Sequence, residues 1–388
     1  MSTDAARPRE TAARVTADDV DAAAERLAGV VSTTPVERSV RLSERTGAHV
    51  WLKREDLQVV RSYKARGAYN LIAQLDAEAR AAGVVTASAG NHAQGVAFAC
   101  AALGVRGRVH LPRTTPRQKR DRIASIGGDA IEMILDGETY DDVSAAAADE
   151  ALQGATLVPA FDDPRTIAGQ GTVLRALVVR AQRQRLLAPH GEAMTDHLGI
   201  IVDPPFVDGA AVRRVGRHTF DTVAGSAPTM LSVPEGRICS EMLDLYQSDG
   251  IIAEPAGALA TASLGGALDV EPGSRVLCIL SGGNNDVSRY ADVVERALVH
   301  EGRKHYFLVE FPQEPGALRR FLDEVLGPDD DITLFEYVKH SNRETGPALV
   351  GVELSRAEDL AGLLERMDAA PPRIERIESE SPLFRFLL

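Results

Sequence analysis

The chain has 388 residues, 44% hydrophobic and 26% charged, a balance that excludes a disordered or fibrous protein and leaves room for two or three packed units. A formal net charge of -13 argues against nucleic acid or an acidic membrane as partner. No stretch approaches the ~20 apolar residues of a membrane span, and the N-terminus lacks the apolar core of a signal peptide, so a cytoplasmic protein is expected. The three cysteines, Cys100, Cys239 and Cys278, are too far apart for a metal pair and too few for a complete disulfide framework. They read as buried free thiols of a reducing compartment.

Residues 1–17 read as a flexible tail. An alanine-rich amphipathic helix is predicted from Asp18 to about Gly29, and a short strand around Val50 and Leu52. The chain then alternates. SYKARGAYNLIAQL is helical, GVVTASAGN is a strand meeting a glycine turn, and HAQGVAFACAALG is a helix. RGRVHLP, DAIEMIL and ATLVPAF read as strands separated by the helices TPRQKRDRIASIG and YDDVSAAAADEAL. Strands and helices trading places at short intervals predict an α/β protein with parallel sheets. GSRVLCILSGGNND is a further apolar strand entering a glycine turn. The character changes near residue 303, and residues 306–388 hold 17 acidic and 9 basic residues. The order strand, helix, strand, strand, helix there predicts a small α+β domain of the ferredoxin-like kind over 304–388, with a boundary near 302–305.

Three segments carry the chemistry. Ser62-Tyr63-Lys64-Ala65-Arg66-Gly67 opens a helix. An amine at a helix start sits beside positive dipole density, which favours the neutral form that Schiff-base chemistry requires. Taken alone, such a lysine is usually a solvated charge. Ser88-Ala89-Gly90-Asn91-His92 lies between strand and helix, where backbone N–H groups point at the mouth of the turn and can hold a carboxylate or phosphate. The bland alternative is an ordinary turn. Ser281-Gly282-Gly283-Asn284 repeats that pattern, with a hydroxyl able to meet a ring nitrogen.

Together these segments resemble the fold-type II enzymes that use pyridoxal 5′-phosphate (PLP), and most closely the biosynthetic threonine dehydratases. The resemblance extends through TPVERSVRLSERTGAHVWLKREDLQ, FDDPRTIAGQGT, FVDGAAVRRVG and IAEPAGALA. It implies a two-lobed core like that of the tryptophan synthase β subunit over 18–303, followed by an ACT-like regulatory domain over 304–388. It also implies roles. Lys64 would bind the cofactor aldehyde and act as base at the substrate α-carbon, with Tyr63 flanking the cofactor. Asn91 would meet the PLP phenolic oxygen, Ser281 the pyridine nitrogen, and Glu254 would lie near the ring. Ser88, Ala89, Gly90, Asn91 and His92 would surround the carboxylate of L-threonine. Serine racemases of this fold carry a serine where Ala89 stands, so racemisation is disfavoured. The implied reaction yields 2-oxobutanoate and ammonia, the first step of isoleucine biosynthesis, in a homo-oligomer regulated by isoleucine. Other fold-type II lyases, such as a serine dehydratase, remain as alternatives.

The resemblance breaks at 173–205. The family has a strand and a run of glycines there that wraps the PLP phosphate, but this stretch holds only the isolated Gly191 and Gly199. Its text shows neither helix nor strand periodicity. A dianion needs several convergent N–H donors, and a missing strand leaves neighbouring edges unpaired. A deletion or out-of-frame stretch is expected, which predicts weak PLP binding and an impaired or non-enzymatic relative. A rebuilt loop or a partner subunit supplying the phosphate site is the alternative.

Overall fold

The computed structural model describes residues 15–183, 197–199, 206–207, 215–226, 228–337, 344–378, 381–384 and 387. They fall into two compact units, Met1–Val233 with Ser248–Asp286, and Pro234–Gln247 with Val287–Leu388.

The first unit begins with α1 (Ala17–Leu27), closed at its start by a capping box between Thr16 and Asp19. Strand β1 (Val36–Arg38), helix α2 (Val40–Thr46) and strand β2 (His49–Arg54) follow. Helices α3 (Lys64–Ile72) and α4 (Ala77–Ala82) lead into β3 (Val84–Ala87), all four of whose residues are buried. Then come α5 (Asn91–Leu103), β4 (Gly107–Leu111), α6 (Arg117–Gly127), β5 (Ile131–Leu135), α7 (Tyr140–Ala151) and β6 (Thr156–Leu157). Strands β3 to β6 form a parallel sheet in the order β5-β4-β3-β6. Val84, Val96, Cys100 and Leu71 pack on one side of it, and Val85, Val143 and Ala147 on the other. A sheet with helices on both faces buries β3 completely, which is why its sequence shows no polar–apolar alternation and its one polar residue, Thr86, is hydrogen-bonded.

Helix α8 (Pro164–Arg183) comes next. It corrects the reading of 173–205 as aperiodic, because residues 173–183 continue the helix. VLRALVVRAQR is mostly Ala, Leu, Arg and Gln, good helix formers, with no glycine or proline to stop it. Beyond it lie β7 (His197–Gly199), α9 (Arg217–Ser226) and β8 (Thr229–Leu231), the two strands forming a separate parallel pair. Helix α10 (Glu235–Gln247) belongs to the second unit. Helix α11 (Pro255–Ala262) and β9 (Arg275–Leu280) complete the first. Strand β9 runs parallel to β2 in the order β1-β2-β9. Its other edge has no partner among the described strands.

The second unit adds α12 (Tyr290–His300), β10 (Lys304–Pro312), α13 (Ala317–Glu324), β11 (Asp331–Tyr337), β12 (Thr345–Glu353), α14 (Leu360–Ala369) and β13 (Arg373–Ile377). The last strand was missing from the sequence reading, so the full order is βαββαβ. The sheet order is β11-β12-β10-β13, all antiparallel. RIERI holds only two apolar residues, Ile374 and Ile377, with two adjacent charges between them, too weak and short a pattern to stand out among acidic text. Inward residues Phe307, Val309, Phe311, Val350 and Val352 alternate with outward ones and pack on Phe321, Leu363 and Met367. The Phe311 and Phe321 rings meet edge to face at 5.2 Å between centroids.

Candidate active site

Lys64 is the first residue of α3. Its Nζ donates to Ala160 O at 2.9 Å and lies 5.1 Å from the centroid of the Tyr63 ring. Close helix contacts hold its backbone. A Cβ at Gly95 on α5 would stand 2.9 Å from Lys64 O, and a Cβ at Gly169 on α8 would stand 2.6 Å from Arg66 O. Only glycine permits these approaches. Gly95→Ala is therefore expected to lower stability by about 1–3 kcal/mol, read as a fall in denaturation midpoint. An unchanged midpoint would show that α3 and α5 separate freely.

The segment that receives the lysine is pinned from several elements. Val158 O takes hydrogen bonds from the Thr86 hydroxyl at 2.9 Å and from His92 Nε2 at 2.8 Å. Ala160 O is shared between Lys64 Nζ and Gln170 Nε2, the latter at 3.0 Å. Thr166 Oγ1 donates to Pro159 O at 3.3 Å. Because a carbonyl can only accept, His92 carries its proton on Nε2 and presents a bare lone pair at Nδ1. Burial, aided by the charge of Lys64, lowers its pKa from 6.5 to about 3, so the ring is neutral at physiological pH.

The turn after β3 supplies an open helix start. Gly90 caps α5 with no side-chain bond to the first turn, and Gly90 N donates to Ser88 Oγ at 3.2 Å. Ala89 packs beside the cluster of Ala93, Ala97, Val109 and Ile123. The turn after β9 meets it. Glu254 Oε1 accepts from Asn91 Nδ2 at 2.6 Å, and Asn91 Oδ1 accepts from Asn284 Nδ2 at 2.7 Å. Ser281 Oγ donates to Ala256 O at 3.4 Å, while Ser281 O accepts from Tyr63 N at 3.1 Å. Tyr63, Lys64, Ser88, Ala89, Gly90, Asn91, His92, Glu254 and Ser281 thus belong to one constellation. It sits at the carboxyl ends of parallel strands β3 and β9, where ligands enter open α/β sheets.

Sequence reasoning missed Gln170 and the carbonyls of 158–160. Backbone acceptors leave no mark in a sequence, and Gln170 stood unremarked inside the GQGT signature. It also missed a buried ion cluster behind Lys64. Arg66 Nε donates to Glu55 Oε2 at 2.8 Å and Arg66 Nη2 to Glu55 Oε1 at 2.9 Å. The Thr34 hydroxyl donates to Glu55 Oε1 at 2.6 Å, and Lys53 Nζ lies 3.6 Å from the same oxygen. Burial would raise the Glu55 carboxyl, but Arg66, Thr34 and Lys53 together hold it below the ordinary carboxylate range.

A lysine at a helix start, facing two strand-end turns that offer an amide, a hydroxyl and an open helix N-terminus, defines the class of PLP-dependent enzymes with this α/β fold. A family model described as pyridoxal-phosphate dependent enzyme matches residues 27–190, and one described as the C-terminal regulatory domain of threonine dehydratase matches 295–387. The chain is 54% identical to the biosynthetic L-threonine dehydratase IlvA of Mycobacterium bovis, over 95% of each chain. It is 44% identical to that of Bacillus subtilis, over 92% of this chain and 94% of that one. The processed threonine deaminase isoform 2 of Solanum lycopersicum superposes with a TM-score of 0.63 at 30% identity, covering 74% of this chain and 90% of that one. The chain belongs to the biosynthetic L-threonine dehydratase family, whose cofactor is PLP.

The residues present fit PLP only in part. Buried Ser62 Oγ, His92 Nδ1 and Gln94 Oε1, all near Lys64 in sequence or on α5, have no protein hydrogen-bond partner, as expected beside a polar guest. Lys64, Asn91, Glu254 and Ser281 are the residues that would meet the aldehyde and the ring. The phosphate finds no glycine cradle among the described residues.

Proposed function

We propose that this chain is built to deaminate L-threonine to 2-oxobutanoate and ammonia, at the entry to isoleucine biosynthesis in the cytoplasm. The observation that carries the reading is the convergence of Lys64, Asn91, Glu254 and Ser281 on one site between two parallel-strand ends. PLP, where bound, supplies an electron sink for charge developing at the α-carbon. The chain's own residues do the rest. Lys64 Nζ, held by Ala160 O, serves as the base, and Gln170 shares that carbonyl and so fixes where the amine rests. The open N-terminus of α5, with Ser88, Gly90, Asn91 and His92, takes the substrate carboxylate. Neutral His92 adds no competing charge beside the lysine. Ala89 has no proton to give or take, so elimination is favoured over racemisation. Tyr63 would flank the ring, Ser281 would meet its nitrogen, and Asn91, held by Glu254, would meet its phenolic oxygen.

We assign residues 18–303 to catalysis and 304–388 to regulation by isoleucine in a homo-oligomer. Among the described residues no helix is long and apolar enough to cross a membrane. Borohydride reduction with excess PLP followed by peptide mapping is expected to label Lys64, and Lys64→Ala to abolish both the label and 2-oxobutanoate release. Label elsewhere in the wild-type chain, or turnover surviving in Lys64→Ala, would remove the basis of the assignment. Pyruvate formed from serine faster than 2-oxobutanoate from threonine would instead place the chain among serine dehydratases.

A further inference from the structure

We infer that the site retains a pyridoxal aldehyde through Lys64 and its ring contacts, with next to no contribution from the phosphate. The inference rests on the assignment of Lys64 above.

Three observations carry it. The alignment with the Mycobacterium bovis relative spans 410 positions but takes up 95% of this 388-residue chain; 95% of 388 is about 369, so about 40 aligned positions have no residue here. The β9 edge turned away from β2 has no strand beside it among the described residues, although β9 reads RVLCIL. An apolar parallel strand is normally paired on both sides. Missing length together with an apolar edge that has no described partner points to lost sheet, and with it a lost strand-end turn next to the site.

Backbone donors in the turn after β9 and at the starts of α8 and α9 are already engaged. The glycine turn after β9 gives Gly283 N to Arg61 O at 2.9 Å, and Gly282 O takes Glu254 N at 3.2 Å. At the start of α8, Arg165 N donates to Asp163 Oδ1 at 2.8 Å. At the start of α9, Arg217 N and His218 N donate to the Asp162 carboxylate at 2.9 and 2.7 Å. An acidic side chain occupies each of these helix starts, where a dianion would meet like charge. The N-terminus of α5 is open, but a cofactor carrying its amino-acid substrate brings two anions, a phosphate and a carboxylate. One open helix start cannot serve both.

The test compares PLP with pyridoxal, which lacks the phosphate, on the full-length chain. Each is titrated while the visible absorption of the lysine-bound aldehyde is followed, and the adduct is then trapped with borohydride. A cradle of several charge-assisted N–H bonds makes PLP the tighter ligand by on the order of a hundredfold or more. Here the two apparent affinities are expected to agree within about threefold. Grafting the relative's segment between residues 183 and 206 is expected to restore the preference for PLP. A wild-type preference for PLP of about tenfold or more would overturn the inference, since the chain or a second copy of it would then be holding the phosphate. Absence of Lys64 label with either aldehyde would sink the Lys64 assignment itself, and with it this inference. The two failures are thus distinguishable.

Discussion

Glu55→Ala is expected to destabilise the first unit by about 3–5 kcal/mol, the loss measured when one partner of a buried ion pair is removed. Glu55 is fully buried, and Arg66 and Lys53 beside it are 4% and 2% exposed. Removing the carboxylate leaves both cations in a low-dielectric pocket and opens a cavity where the carboxylate stood. Arg66 also donates to the Thr172 hydroxyl at 3.3 Å, which ties α3 to α8. The damage would therefore reach the backbone that carries Lys64. Replacing Glu55, Arg66 and Lys53 together by apolar residues of similar volume is expected to recover most of the loss, because no charge is then stranded. Denaturant unfolding of the single and triple variants measures both. A single-variant loss below about 1 kcal/mol would mean that water enters and solvates the cations, contrary to their burial.

A second large effect is an acid destabilisation traceable to one imidazole. His92 has its folded-state pKa depressed from 6.5 to about 3, chiefly by burial. The unfolded chain takes up a proton near 6.5 while the folded chain refuses it until near 3. Stability contributed by the neutral ring is whole above pH 6.5 and is lost as pH falls towards 3. Between pH 7 and pH 5 the loss is about 2 kcal/mol, from ~1.4 kcal/mol per unit over ~1.5 units. In His92→Asn the amide can still donate to Val158 O but has no proton to gain. The difference in unfolding free energy between pH 7 and 5 is then expected to shrink by about that amount. Equal pH dependence in the two proteins would show that other groups set the acid limit. Glu55 adds to the same trend at lower pH, since its depressed carboxyl favours folding only while ionised.

The legible parts of the molecule share a physical character. Helix starts, strand-end turns and amphipathic faces are local properties, encoded within a few residues. The sequence therefore marked Lys64 at the head of α3, the Ser88–His92 turn, the Ser281–Gly283 turn and the alternation of strands with helices. Illegible features depend on residues far apart in the chain. Nothing local in LKREDLQ says that Lys53 and Glu55 lie in the interior, as they do. Nothing local marks Asp162 as the residue that closes the N-terminus of α9. Strand β13 is a weak five-residue pattern, stabilised by pairing with β10 from Tyr306↔Ile377 to Glu310↔Arg373.

By itself, the amino-acid order determined which side chains are available for chemistry, where short elements begin, and that a glycine-rich stretch is missing after α8. Only the tertiary structure decided where the Lys64 amine rests and which charges are buried. It also decided that backbone donors at the starts of α8 and α9 are already taken and that β9 has no second partner among the described strands. The reason is range: propensity and periodicity act over one turn of helix or one strand. Desolvation of a charge and the pairing of a sheet edge are fixed only when separate elements, often tens to hundreds of residues apart, come together.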